Sequence, residues 1–165
     1  GIVVKTPLEA VTLASIVEKE TGKPSERRVV AGLYSNRLRQ GIMLQADPTI
    51  IYPITKGKPL GRRIRQSEIN AVNDYNTYTM TGLPRGPITN PGRESIAAVL
   101  NPAETGVLYM VADGTGGSAS SSSRVRLAQN KAPGRGAALP SKRIPLPSRL
   151  PRTLIAATSV SISGL

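Results

Sequence analysis

The sequence predicts an α+β domain, and three observations carry that prediction. A capped, almost wholly apolar helix opens the chain. A second helix with one apolar stripe follows it. After a long stretch punctuated by proline, Gly106–Ala112 reads as a buried strand. The 165 residues suffice for one domain with a real core and are short for two.

Thr6-Pro-Leu-Glu9 has the spacing of a capping box, with Pro7 at the first helical position. Ala10, Val11, Leu13, Ala14, Ile16 and Val17 then place apolar side chains on nearly every side, so this helix is expected to be buried up to Gly22. A second helix is expected from Ser25 to Gln40, started by Pro24 and Ser25 and closed by Gly41. Its stripe is Val29, Val30, Leu33, Tyr34 and Leu38, which leaves Arg27, Arg28, Arg37 and Arg39 for solvent. From Met43 to Thr89 the prolines at 48, 53, 59, 84 and 87 forbid a long helix. A short third helix is expected near Arg93–Leu100, and the strand should end at Asp113-Gly114.

The composition then changes. Ser118–Ser123 is low in complexity, and the rest of the chain scatters proline among eight basic residues with no acid. Residues 1–117 hold the other fourteen of the 22 basic residues and all ten acids, so they are only mildly basic, while the whole chain carries +12. The division expected is an ordered domain over 1–117 and a basic, disordered tail over 118–165. No apolar run is long enough to span a bilayer.

Histidine and cysteine are absent, which excludes imidazole acid–base catalysis, thiol nucleophiles, disulfides and His-based zinc sites. Neither a metal nor a cofactor is called for. An enzyme built from this sequence must move protons with carboxylates. Glu18 draws attention because it ends a helix of buried character, and its i−4 and i−7 neighbours are Ala14 and Val11. Desolvation and the negative end of the helix dipole are both expected to raise its pKa. Glu20 lies about 200° round the helix from Glu18 and so cannot share one face with it. It reads as a surface or structural ion pair.

Polar clusters follow at 44–52, 74–78, 82–88 and 89–93. Gln45, Asp47, Thr49 and Tyr52 read either as turn residues before a short strand or as a cleft wall offering hydrogen bonds to sugar hydroxyl and N-acetyl groups. Tyr75-Asn-Thr-Tyr78 reads either as core filling or as substrate contact, with Asn76 the favoured contact. Asn90-Pro-Gly92 reads as a turn that caps the following helix, with Asn90 a further candidate contact.

The stretches Leu-Ala-Ser-Ile-Val-Glu-Lys-Glu-Thr-Gly (13–22), Val-Ala-Gly-Leu-Tyr-Ser-Asn-Arg-Leu (30–38), Leu-Gln-Ala-Asp-Pro-Thr-Ile-Ile-Tyr (44–52), Tyr-Asn-Thr-Tyr (75–78), Gly-Leu-Pro-Arg-Gly-Pro-Ile (82–88), Asn-Pro-Gly (90–92) and Leu-Tyr-Met-Val-Ala-Asp-Gly-Thr-Gly-Gly (108–117) occur in that order. Together they resemble the catalytic domain of the MltG (YceG-like) family of endolytic murein transglycosylases. The resemblance implies cleavage of the β-1,4 bond between N-acetylmuramic acid and N-acetylglucosamine without water, giving 1,6-anhydro ends. It implies Glu18 as the catalytic residue, and Gln45, Asp47, Thr49, Tyr75, Asn76, Thr77 and Asn90 as substrate contacts. Peptidoglycan strands and the cell-wall synthesis machinery are the partners implied, at the cell envelope. Three family features are missing: the amino-terminal membrane helix, the LysM-like subdomain, and the histidine and His-Asn helix expected after Gly117. The tail from 118 therefore reads as foreign to the family, as a frame shift would produce, and the chain itself is expected to make no membrane contact.

The competing class is a basic nucleic-acid-binding protein, suggested by a pI near 10.8 and by Arg62-Arg63-Ile-Arg65. Phe and Trp are absent, so there is little to stack bases on. Most of the excess charge lies in the tail. The three arginines read as solvated, or as meeting the anionic glycan and its peptide stems. A glycan-binding body without turnover is a third reading.

Overall fold

The computed structural model describes residues 1–112 and 118–122. Within them are five α-helices and a two-stranded antiparallel sheet, the α+β class expected. Helix α1 runs Pro7–Glu20, α2 Arg27–Arg39, α3 Pro48–Thr55, α4 Gln66–Ile69 and α5 Arg93–Leu100. Strand β1 is Tyr109–Ala112 and β2 is Ser118–Ser121.

Helix α1 begins as its sequence demands. The Thr6 hydroxyl accepts from the Glu9 amide at 3.2 Å, and Pro7 fills the first position, where an amide would have no helical partner. The Glu9 carboxylate reaches back one residue further than a capping box requires, to the amide of Lys5 at 2.5 Å. The helix stops at Glu20 rather than at Gly22, with Thr21 as its cap. A single 3₁₀ turn, Pro24–Glu26, precedes α2 where the sequence suggested continuous helix.

Helices α1, α2 and α5 pack on one another and enclose the core. Leu13, Ile16, Val17, Val30, Leu33, Leu44 and Val99 are essentially removed from water. Each such side chain contributes about 1.5–3 kcal/mol. The approach of α2 to the segment after α5 is close at Gly32, where a Cβ would stand 2.6 Å from the Ala103 carbonyl oxygen.

Three expectations are corrected by the fold. The 48–55 stretch is a helix, not the loop or turn its prolines suggested. Pro48 sits at its first position, where proline is tolerated, and Pro53 removes one hydrogen bond from a helix of only two turns. Arg37 is buried rather than solvated. Its guanidinium donates to the carbonyls of Leu108 (2.7 Å), Leu44 (2.6 Å) and Met43 (3.3 Å), and lies 5.1 Å from the centre of the Tyr109 ring. One cation thereby ties α2 to two separate segments. Order also does not stop at Gly117: Ser118–Ser121 pairs with β1, matching Tyr109 to Ser121 and Ala112 to Ser118. The Ser118 amide donates to Glu26 Oε1 at 3.1 Å. The expected strand end at Asp113-Gly114, and the remainder of the tail, lie outside the described residues.

Candidate functional site

Glu18 occupies the last turn but one residue of α1 and is half-buried. One of its two carboxylate oxygens is fixed. Oε2 accepts from the Ser95 hydroxyl at 2.5 Å and from the Gly92 amide at 3.1 Å. Oε1 has no hydrogen bond among the described residues.

The anchoring follows from how α1 meets α5. Gly92 is the N-cap of α5 and Ser95 its third residue, so the carboxylate lies at the positive end of that helix. One turn earlier on α1, the buried Ser15 donates to the Thr12 carbonyl and accepts from the Ile88 amide at 3.0 Å. Ser15 and Glu18, three residues apart on one helical face, together hold the segment 88–95.

This geometry reverses the expectation for the Glu18 pKa. The Ser95 hydrogen bond lowers it below the ordinary carboxylate value; desolvation opposes, and the Gly92 amide with the charges of Arg27 and Lys19 lowers it further. The negative end of α1 is locally visible in the sequence. The positive end of α5, which counteracts it, arrives more than seventy residues later.

Of the two readings of Glu20, a surface or a structural ion pair, the surface one does not hold. Glu20 is 3 % exposed, and burial pushes its carboxyl well above the usual range; Asp47 adds to that rise and Arg37 opposes it. Beside it Asp47 is buried and accepts the Tyr78 hydroxyl at 2.5 Å. Burial, with that carboxylate, also raises the Tyr78 phenol. Glu20, Asp47, Tyr78, Tyr34 and Arg37 thus form one buried electrostatic group.

The remaining sequence candidates divide between surface and scaffold. Thr49, Asn76 and Thr77 are each fully buried. Thr49 and Thr77 share a hydroxyl–hydroxyl bond of 2.8 Å, and the Thr77 hydroxyl accepts the Ala46 amide at 3.0 Å. The Asn76 side-chain amide donates to the carbonyls of Glu68 (3.3 Å), Ile69 (3.0 Å) and Ala71 (2.6 Å), while its oxygen accepts the Tyr78 amide. These three therefore knit loops together, and Asn76, the favoured contact, presents nothing to solvent.

Gln45, Tyr75 and Asn90 retain exposure. Gln45 is held at φ +52°, a costly conformation for a residue with a side chain, by its own amide bond to Thr77 and by the neighbouring Ala46 bond. The Tyr75 ring lies 4.9 Å from that of Tyr52. Asn90 is exposed two residues before Gly92, in the segment that reaches Glu18. Ser15 and Ser95 were not singled out from sequence. Ser15 offered a signal, being a polar residue among the buried positions of α1; Ser95 offered none without knowledge of how α5 packs. No group of His, Cys, Asp and Glu able to hold a metal occurs among the described residues. A cavity of about 200 Å³ bounded by Ser35, Asn36, Arg39 and Thr105 does not include Glu18.

Comparison with known proteins gives a consistent result. A model of the YceG-like family matches residues 2–131. An endolytic murein transglycosylase of Bacillus subtilis (strain 168) is 38 % identical over 105 residues, covering 64 % of this chain and 28 % of the relative. An endolytic murein transglycosylase of Streptococcus pneumoniae (strain D39) is 38 % identical over 114 residues, covering 66 % of this chain and 20 % of the relative. The chain thus spans between a fifth and somewhat over a quarter of these relatives. Among solved structures, the 2.6 Å crystal structure of a YceG-like protein from Listeria monocytogenes superposes with a TM-score of 0.66 at 31 % identity, over 75 % of this chain and 39 % of that one. The family match runs beyond Gly117, so the expectation that family sequence ends there does not agree with it.

Proposed function

This chain belongs to the YceG-like family, and from that premise we propose that it carries the catalytic part of an endolytic murein transglycosylase, with Glu18 as its acid and base. The observation that supports this reading is the split environment of the Glu18 carboxylate: Oε2 anchored by Ser95 and Gly92, Oε1 without a partner among the described residues. A group that must exchange a proton with substrate needs a fixed position and one oxygen within reach.

In this reading, protonated Glu18 gives its proton to the glycosidic oxygen as the bond from C1 of N-acetylmuramic acid breaks. The carboxylate so formed takes the proton from the C6 hydroxyl of the same sugar, and that oxygen closes onto C1. The products are a free 4-hydroxyl on N-acetylglucosamine and a 1,6-anhydro end, and Glu18 finishes protonated. One carboxyl group serves both steps because the nucleophile is part of the substrate. Hydrolysis would typically require a second acid to direct water. Glu20 and Asp47 are 3 % and 4 % exposed, which fits neither for that task.

The lowered pKa of free Glu18 suits the second step better than the first. A glycan lying over Oε1 excludes water and raises the pKa, so substrate binding itself readies the acid. Peptidoglycan is the substrate class and the cell envelope the location in this reading. No helix among the described residues is long and apolar enough to cross a membrane.

Mass spectrometry of digested sacculi tests the reaction type. Anhydro ends and no new reducing ends are expected. Products heavier by one water, about 18 Da, would mean hydrolysis and would overturn the reading.

A further inference from the structure

The segment between α3 and α4 carries Lys56, Lys58, Arg62, Arg63 and Arg65 within ten residues and no acid. All five are exposed. One carboxylate, Glu68, meets the cluster: Arg62 Nη2 lies 2.5 Å from its Oε1, and the Arg65 amide donates to Oε2 at 2.7 Å. The hydrogen bond from Arg62, with that from the Arg65 amide, pulls the Glu68 carboxyl down to about 2. Glu68 is therefore fully charged, yet it offsets only one of the five cations. Lys58 and Arg63 make no ion pair among the described residues.

These cations do not ride on a free loop. Lys56, Gly57 and Gly61 fold the segment through left-handed turns, at φ +56°, +100° and +70°. The Asn76 amide holds α4, which follows the segment, and the chain just beyond it, through the carbonyls of Glu68, Ile69 and Ala71. The Lys56 ammonium lies 5.7 Å over the Tyr52 ring, which in turn packs on Tyr75. Asn76 thus ties α4, which follows the cations, to the loop that carries Tyr75.

That surface is joined to Glu18 by a short path. A Cβ at Gly86 would lie 3.9 Å from the Tyr75 hydroxyl, the Ile88 amide is on Ser15, and the Gly92 amide is on Glu18. The seven residues 86–92 span about 25 Å at most. A polymer long enough to run past Glu18 and over the tyrosines therefore reaches the cations.

We propose that segment 56–65 is a second anchoring site of this chain, binding the carboxylates of the peptide stems that a murein strand carries while the strand lies at Glu18. The inference rests on the function proposed above. Its position beside the Tyr52–Tyr75 pair, on the path toward Glu18, favours stems over the other anionic source, lipid headgroups.

The test measures binding by the full chain carrying Glu18→Gln, so that strands survive. Two probes are used: glycan strands with intact stems and the same strands after enzymatic removal of the stems. The parent is expected to bind stem-bearing strands more tightly, with the difference shrinking as salt rises. Lys58→Ala with Arg63→Ala should weaken stem-bearing strands roughly two- to tenfold and leave denuded strands unchanged. Lys58→Glu with Arg63→Glu should weaken them further. Equal affinity of the parent for both strands would overturn the proposal. So would variants that lose affinity only for phosphatidylglycerol vesicles, which would make this a membrane-facing surface. Binding of denuded strands alone would sink this site and leave the function standing; binding of neither strand would remove both.

Discussion

The Ser95 hydroxyl donates to Glu18 Oε2 at 2.5 Å across 77 residues of chain. This bond, with that of the Gly92 amide, places the carboxylate at the N-terminus of α5 and favours its charged form. The catalytic proposal and the packing of α1 on α5 are therefore one feature of the molecule, and the first prediction tests them together.

Ser95→Ala removes the hydrogen bond that most lowers the Glu18 pKa. The Glu18 value should rise in this variant. Where kcat/KM follows the protonated fraction of free Glu18, its fall with increasing pH should move to higher pH. A pH–rate series on solubilised glycan checks this. A limb that stays in place would mean that Ser95 does not tune the group that titrates.

Glu20 gives the opposite sign. Its folded pKa lies above its unfolded value, so its contribution to stability is complete below about 4.5 and is lost as pH rises toward the folded value. Glu20→Gln keeps the shape and removes the titration. The variant should match the parent at acid pH and be more stable than it at neutral and alkaline pH. Denaturant midpoints across pH measure this; parallel curves for the two proteins would show that Glu20 holds no extra proton.

Asn76→Ala separates scaffold from contact. It removes the side-chain donations to the Glu68, Ile69 and Ala71 carbonyls and the acceptor of the Tyr78 amide. The Glu68 carbonyl keeps the Ala71 amide at 3.3 Å and the Ala71 carbonyl the Thr79 hydroxyl at 3.5 Å, so only part of the about 1–3 kcal/mol cost of each lost bond is realised. A loss of roughly 2–4 kcal/mol is expected in urea unfolding. Activity per folded molecule on denuded strands should change little. A stable variant with a raised KM on those strands would return Asn76 to the substrate surface.

What the sequence disclosed follows from what is local. Thr6, Pro7 and the apolar run specify α1, and the third expected helix lies at Arg93–Leu100. The fold class needed no more than these and one strand. Arg37 was misplaced although its position was readable: it lies four residues after Leu33 and three after Tyr34, on the apolar face, where a charge must find buried partners. Helix α3 escapes sequence reading because proline reads as a breaker, and the tolerated positions of Pro48 and Pro53 are set by where the helix begins. Strand β2 was missed because four residues of serine and alanine carry no apolar alternation; its order comes from pairing with β1.

The site was legible at Glu18 and much less so around it. Buried hydroxyls and amides such as Thr49, Asn76 and Thr77 have the same composition as a sugar-binding wall. Only the coordinates reveal that their hydrogen bonds are consumed inside the protein. The lowered pKa of Glu18 was beyond sequence reasoning for the same reason: its strongest partner is nonlocal.

The most direct test of the central claim is Glu18→Gln, assayed for anhydromuramyl ends released from purified peptidoglycan with the fold monitored by circular dichroism. The side chain keeps its size and can still accept the Ser95 and Gly92 hydrogen bonds, so the variant should fold as the parent does. It can neither give nor take the catalytic proton, and product formation should fall by about two to four orders of magnitude. A folded Glu18→Gln protein that releases anhydro ends at the parental rate would contradict the account.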